Sequence, residues 1–85
     1  MPDLWPAGLA IMRVTVKLFA TLREGRFTTD TLELQPGATV ESVIRRLNIS
    51  PNEAALLLLN SRHANLSTEL SDGDTLAIFP PVGGG

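Results

Sequence analysis

From Met12 to Phe19 the chain alternates without a break, with Met12, Val14, Val16 and Leu18 on one side and Arg13, Thr15, Lys17 and Phe19 on the other. A period of two is the signature of a strand with one buried face, and a slip of one residue would turn the whole apolar set to water. The segment therefore demands a sheet covered on one side, and the rest of the chain must supply both the partner strands and the cover. It has 85 residues in which to do so, enough for one domain. There is no cysteine and a single histidine, so disulfides and ordinary zinc sites are excluded as staples and hydrophobic packing must hold the domain. A hydrophobic share of 44% against 19% charged residues is adequate for such a core and unlike a disordered tail.

The partners follow in order. Thr31 to Leu34 alternates again, Leu32 and Leu34 inward, and the intervening Leu22 to Thr29 is polar and contains Gly25, so the two strands are expected to form a hairpin. Pro36 and Gly37 end the second strand. Thr39 then suits the N-cap of a helix whose Val40, Val43, Ile44 and Leu47 form one stripe, with Glu41 in the first turn spaced to pair with Arg45, and Arg45 and Arg46 near the negative end of the dipole. After Pro51, the run Ala55 to Leu59 reads as a strand, Asn60 and Ser61 as a turn, and Leu66 and Leu70 as anchors of an irregular link. Asp72-Gly73-Asp74 is a strong turn signal, and Thr75 to Phe79 is the last alternating strand. Hairpin, helix, strand, strand is the order of an α+β roll: a β-grasp (ubiquitin-like) fold in which a mixed sheet packs against one main helix. Residues 1–11, interrupted by Pro2, Pro6 and Gly8, are expected to be a flexible extension, 12–82 the domain and 83–85 a flexible glycine tail.

Little in the chain resembles a catalytic centre. Without cysteine there is no thiol nucleophile, redox pair or iron-sulfur ligand set. His63 is expected to be an exposed link residue and Asp72-Gly73-Asp74 a turn, since the spacing of a calcium loop is absent. No phosphate-binding loop is present, so a nucleotide would have to be bound by another protein. The net charge of −2 argues against nucleic acid as a partner, and the lack of a long apolar run argues against a membrane. With no signal-peptide pattern at Met1 to Ile11, the expected location is cytoplasmic, and the sequons at Asn48 and Asn65 are expected to be chance. What remains is Gly83-Gly84-Gly85. Glycine has no Cβ, so such a tail could thread a channel too narrow for any side chain, and Pro80-Pro81 would launch it stiffly from the last strand.

The stretch Asp72-Gly73-Asp74, then Ile78-Phe79-Pro80-Pro81-Val82 and the glycines, resembles the MoaD and ThiS group of ubiquitin-like sulfur carriers, above all the small subunit of molybdopterin synthase. Val16 to Ala20 with Leu22-Arg23-Glu24, Gly37 to Val40, and Leu59-Asn60 carry the likeness through Met12 to Gly85. The resemblance implies a carrier and not an enzyme: an adenylating enzyme of the ubiquitin-activating type uses ATP to activate the carboxylate of Gly85. A sulfur donor then replaces AMP to leave a thiocarboxylate, which enters the large subunit of molybdopterin synthase and delivers sulfur for molybdenum- or tungsten-cofactor synthesis. No cofactor is implied for this chain itself. By the same resemblance Gly84 and Gly85 are the reacting end, and Phe79, Pro80, Pro81, Val82 and Gly83 are held by partners. The family generally ends in two glycines after a variable residue. Gly83 fills the variable place if Gly84-Gly85 is the pair; alternatively Gly83-Gly84 is the pair and Gly85 is removed. The alternative functions are a ubiquitin-like protein modifier, a non-covalent interaction module, or a carrier for thiazole or cysteine synthesis.

One expectation concerns surfaces. If Leu76 and Ile78 face the helix, Ala77 and Phe79 lie on the opposite side of the sheet, with one of Leu57 or Leu59 beside them. That patch would suit a partner, or it could be shielded by Leu4, Trp5, Leu9 and Ile11 of the extension.

Overall fold

A computed structural model describes residues 11–81, and in it the alternating segment is a strand, β1 (Met12–Leu18), flanked on both sides. A single turn of 3₁₀ helix at Ala20–Arg23 leads to β2 (Thr29–Leu34); α1 (Val40–Arg46), β3 (Leu56–Leu59), β4 (Arg62–His63) and β5 (Thr75–Phe79) follow. The five strands form one mixed sheet in the order β2-β1-β5-β3-β4, with β1 and β5 parallel at its centre and every other pair antiparallel. This is the β-grasp arrangement expected from the element order. Of the extension expected at residues 1–11 only Ile11 is described, and Val82 and the tail expected at 83–85 lie outside the described residues.

The alternation decides what is buried. Val14, Val16 and Leu18 of β1 and Leu76 and Ile78 of β5 are fully excluded from solvent, as are Val40, Val43 and Ile44 of α1, which packs over that face. Leu32 and Leu34 of β2 and Leu57 of β3 extend the same layer, while Leu22, Ile49, Ala54 and Leu70 close its margins. Each of the valine, leucine and isoleucine side chains contributes about 1.5–3 kcal/mol through removal from water. No polar side chain is buried among the described residues, so no desolvation cost offsets that gain.

Local chemistry sets the boundaries. Thr39 caps α1 by a reciprocal pair of bonds: the Ser42 N–H donates to Thr39 Oγ1 (3.3 Å) and the Thr39 N–H donates to Ser42 Oγ (2.9 Å). Glu41 and Arg45 form the i,i+4 pair at 3.3 Å. At the other end of the sheet the Asp72–Asp74 turn is used entirely for structure. Asp72 Oδ1 accepts from the Arg13 N–H, Asp74 Oδ2 accepts from the Ser71 N–H, and Asp74 Oδ1 accepts from Asn60 Nδ2. Gly73, at φ +89°, supplies the left-handed step that the turn requires.

Two strands depart from expectation in where they lie along the chain. β2 begins at Thr29, earlier than the apolar alternation suggested, because backbone pairing of Val16 with Asp30 and Lys17 with Thr29 needs no buried side chain. β4 lies where a polar link is expected; it is two exposed residues paired back on β3 through the Asn60-Ser61 turn, whose φ values of 52° and 71° suit a tight hairpin reversal. No helix among the described residues is long and apolar enough to cross a membrane.

Candidate functional site

β5 stops for a reason visible in its own residues. The Phe79 carbonyl accepts from the Ala55 N–H at 2.9 Å, and thereafter Pro80 and Pro81 have no N–H to give to a ladder. The chain therefore leaves the sheet at a fixed point, Pro80 half-buried and Pro81 exposed. Phe79 is anchored at that point. Its ring stacks on Phe19 with centroids 4.1 Å apart and planes 9° from parallel. The Arg23 guanidinium lies 5.5 Å over the Phe19 ring, held there by donation from Arg23 Nε to the Leu18 carbonyl at 2.9 Å.

Around this stack is an apolar cleft of about 550 Å³. Phe19 and Ala20 border it from the β1 side, Ala55 and Leu56 from the β3 side, and Phe79, Pro80 and Pro81 run through it. Ala20 adopts φ 53°, a left-handed conformation unusual for a residue with a Cβ, where the chain turns away from β1. The cleft carries no acid, base or nucleophile. Among the described residues no group of His, Cys, Asp and Glu could hold a metal ion, and His63 is exposed on β4, well across the sheet. What the arrangement offers is a greasy recess beside a stiff exit.

Of the residues singled out from the sequence, Phe79, Pro80 and Pro81 come together at the cleft, whereas Val82, Gly83, Gly84 and Gly85 lie outside the described residues. Leu76 and Ile78 face the helix and Ala77 and Phe79 the opposite side, as expected. The β3 neighbours need correction. Register pairs Leu56 with Phe79 and Leu58 with Ala77, so Leu56 and Leu58 share the outer face, while Leu57 pairs with buried Ile78 and Leu59 with buried Leu76. The expectation of Leu57 or Leu59 failed because a run of four leucines has no alternation from which to read a face. Phe19, Ala20 and Ala55 were not foreseen as part of the site. Phe19 had been assigned to the outer face, but its meeting with Phe79 depends on the parallel pairing of β1 with β5.

A profile described as the ThiS family matches residues 16–85. Among solved structures, the HVO 2177 protein of Haloferax volcanii is 29% identical, with 88% of each chain covered and a TM-score of 0.72. The small archaeal modifier protein 1 of the same organism is 28% identical over 84% of this chain and 99% of its own, with a TM-score of 0.71. A putative molybdopterin converting factor subunit 1 from Pyrococcus furiosus is 29% identical over 84% and 99%, with a TM-score of 0.68. No curated protein matches the chain.

Proposed function

The chain belongs to the ThiS family within the ubiquitin-like β-grasp sulfur-carrier superfamily, and from that membership we propose that it acts through the carboxylate of Gly85, activated on a partner enzyme. The observation that carries the reading is the exit of β5: a proline-stiffened segment leaves an anchored aromatic stack beside an apolar cleft, with only Val82 between it and three glycines. A carboxylate is a poor electrophile. Adenylation by a partner of the ubiquitin-activating type, using ATP, turns it into a mixed anhydride with AMP as leaving group, and the chain then needs no catalytic side chain of its own. Gly84-Gly85 is taken as the reacting pair, with Phe79, Pro80, Pro81, Val82 and Gly83 as the arm that partners grip.

Two fates of the acyl group are open to this chemistry. In the first, a lysine amine attacks and the chain becomes a protein modifier; the similarity to a small archaeal modifier protein supports this, and the comparisons weigh toward it. In the second, a sulfur donor displaces AMP and the resulting thiocarboxylate serves molybdopterin synthesis through a larger synthase subunit. The sequence resemblance put this reading first, and the ThiS family match and the similarity to a molybdopterin converting factor subunit support it.

The test is reconstitution. Full-length protein, an adenylating enzyme of the ubiquitin-activating type and ATP should release pyrophosphate and form an acyl-adenylate. Adding a sulfur donor should replace one terminal oxygen by sulfur, read by intact mass, if the carrier reading holds. Glycine remnants on lysines of cellular proteins, read by peptide mass spectrometry, would establish the modifier. No adenylate with any cognate enzyme would overturn both.

A further inference from the structure

β2 is an outer strand of the sheet, and what its free edge offers follows from the hydrogen bonds inside the sheet. The Thr15 N–H donates to the Asp74 carbonyl and the Phe19 N–H to the Ile78 carbonyl, so these alternate residues turn their backbone toward β5. Their neighbours turn the other way, as the Leu18 N–H does in donating to the Thr28 carbonyl at 2.9 Å. Carried along the register, Asp30, Leu32 and Leu34 bond back to Val16, Val14 and Met12. Thr29, Thr31 and Glu33 therefore aim their N–H and C=O groups away from the sheet, exposed and with no described strand beyond them. Two of these outward groups are nevertheless taken. The Thr31 N–H donates to Asp30 Oδ1 at 2.8 Å, and the Glu33 carbonyl accepts from Arg46 Nη1 at 2.8 Å.

We propose that Asp30 and Arg46 close the β2 edge against a second copy of this chain. An open edge is a template for another strand, and this one is complementary to itself. About a two-fold axis at Thr31, antiparallel pairing sets Thr31 opposite Thr31 and Thr29 opposite Glu33 of the second copy, with no like charges face to face. In that register the Thr31 N–H would donate to the facing Thr31 carbonyl, the Thr29 N–H to the facing Glu33 carbonyl and the Glu33 N–H to the facing Thr29 carbonyl. The caps occupy the Thr31 donor and the Glu33 acceptor, so only the last kind of bond can form without displacing a side chain. Both capping groups are charged, which strengthens their hold on the backbone. They also come from different places. Asp30 belongs to the strand itself, whereas Arg46 reaches across from the last turn of α1, so the edge closes fully once the helix has docked on the sheet.

The test begins on the unaltered full-length chain. Hydrogen exchange read by NMR should show the Thr31 amide about tenfold slower than the Glu33 amide, each corrected for its intrinsic rate, because the first has an acceptor and the second faces water. Sedimentation equilibrium should return the monomer mass up to millimolar concentration. Asp30→Ala combined with Arg46→Ala, checked for folding by far-UV circular dichroism, should instead approach twice that mass as concentration rises. Adding Thr31→Pro to the double variant should restore the monomer, since it removes an N–H that points only outward and leaves the bonds to β1 in place. The proposal is overturned by a Thr31 amide that exchanges as fast as that of Glu33, by a folded double variant that stays monomeric at millimolar concentration, or by a dimer that survives Thr31→Pro. It is equally overturned if the unaltered chain already forms a dimer that Thr31→Pro abolishes. None of these readouts depends on adenylation.

Discussion

Ile78 and Phe79 are neighbours in sequence on opposite faces of one strand, and truncating each in turn measures what the two faces are worth. Ile78 is fully buried between β1 and β3 and beneath α1. Ile78→Ala removes three carbons, about 2.4 kcal/mol at ~0.8 kcal/mol per methylene. The cavity in a core that cannot fully collapse brings the total to about 3–4 kcal/mol. Phe79 is half-buried on the outer face, and its truncation loses part of its burial and the stack on Phe19, itself about 0.5–1.5 kcal/mol. Its expected cost is about 2 kcal/mol, despite the larger side chain. A domain of this length has roughly 4–13 kcal/mol of stability in all, so both variants should fold but be well separated. Equilibrium urea unfolding followed by far-UV circular dichroism gives both values, with an unchanged denaturant slope as the sign that the transition stayed two-state. A double-mutant cycle with Phe19→Ala should return a coupling of about 1 kcal/mol. Equal costs, or a greater loss for Phe79→Ala, would refute the assignment of faces.

Other substitutions probe single contacts. Thr39→Ala removes the acceptor of the Ser42 N–H and should destabilise by about 1 kcal/mol, measured by the same urea titration. Ser61→Gly relieves a left-handed residue at φ 71° and should stabilise by about 0.5 kcal/mol, the roughly 1 kcal/mol of strain removed being partly offset by the freedom glycine adds to the unfolded chain. On the proposed reading, Gly84→Ala should cut the rate of pyrophosphate release by an adenylating enzyme by at least tenfold, on the order of 1.4 kcal/mol, because a channel fitted to glycine would have no room for a methyl group.

Much of the domain was legible residue by residue. The period-two pattern of Met12 to Leu18 and Thr75 to Phe79, the stripe of Val40, Val43 and Ile44, the Thr39 cap and the Asp72-Gly73-Asp74 turn are all relations between residues a few positions apart. Such relations are set by backbone geometry and solvation, and they identify an element before its neighbours are known. The proline stop after Phe79 is of the same kind. The candidate site was legible only in part, because Phe79, Pro80 and Pro81 announced an exit but not what stood beside it.

What the chain could not reveal locally is who meets whom. Leu56 to Leu59 reads alike on both sides, and only antiparallel pairing with β5 turns Leu56 and Leu58 outward and Leu57 inward. The two-residue β4 has no pattern at all and exists through backbone bonds to β3. Phe19 and Phe79 stack across sixty positions of sequence because β1 and β5 run parallel with Leu18 beside Ile78, so that each strand delivers its next residue to the same place on the outer face. Strand register is a long-range choice made by the burial of the opposite face, so the cleft at the exit of the tail is a by-product of how Val16, Leu18, Leu76 and Ile78 pack beneath α1.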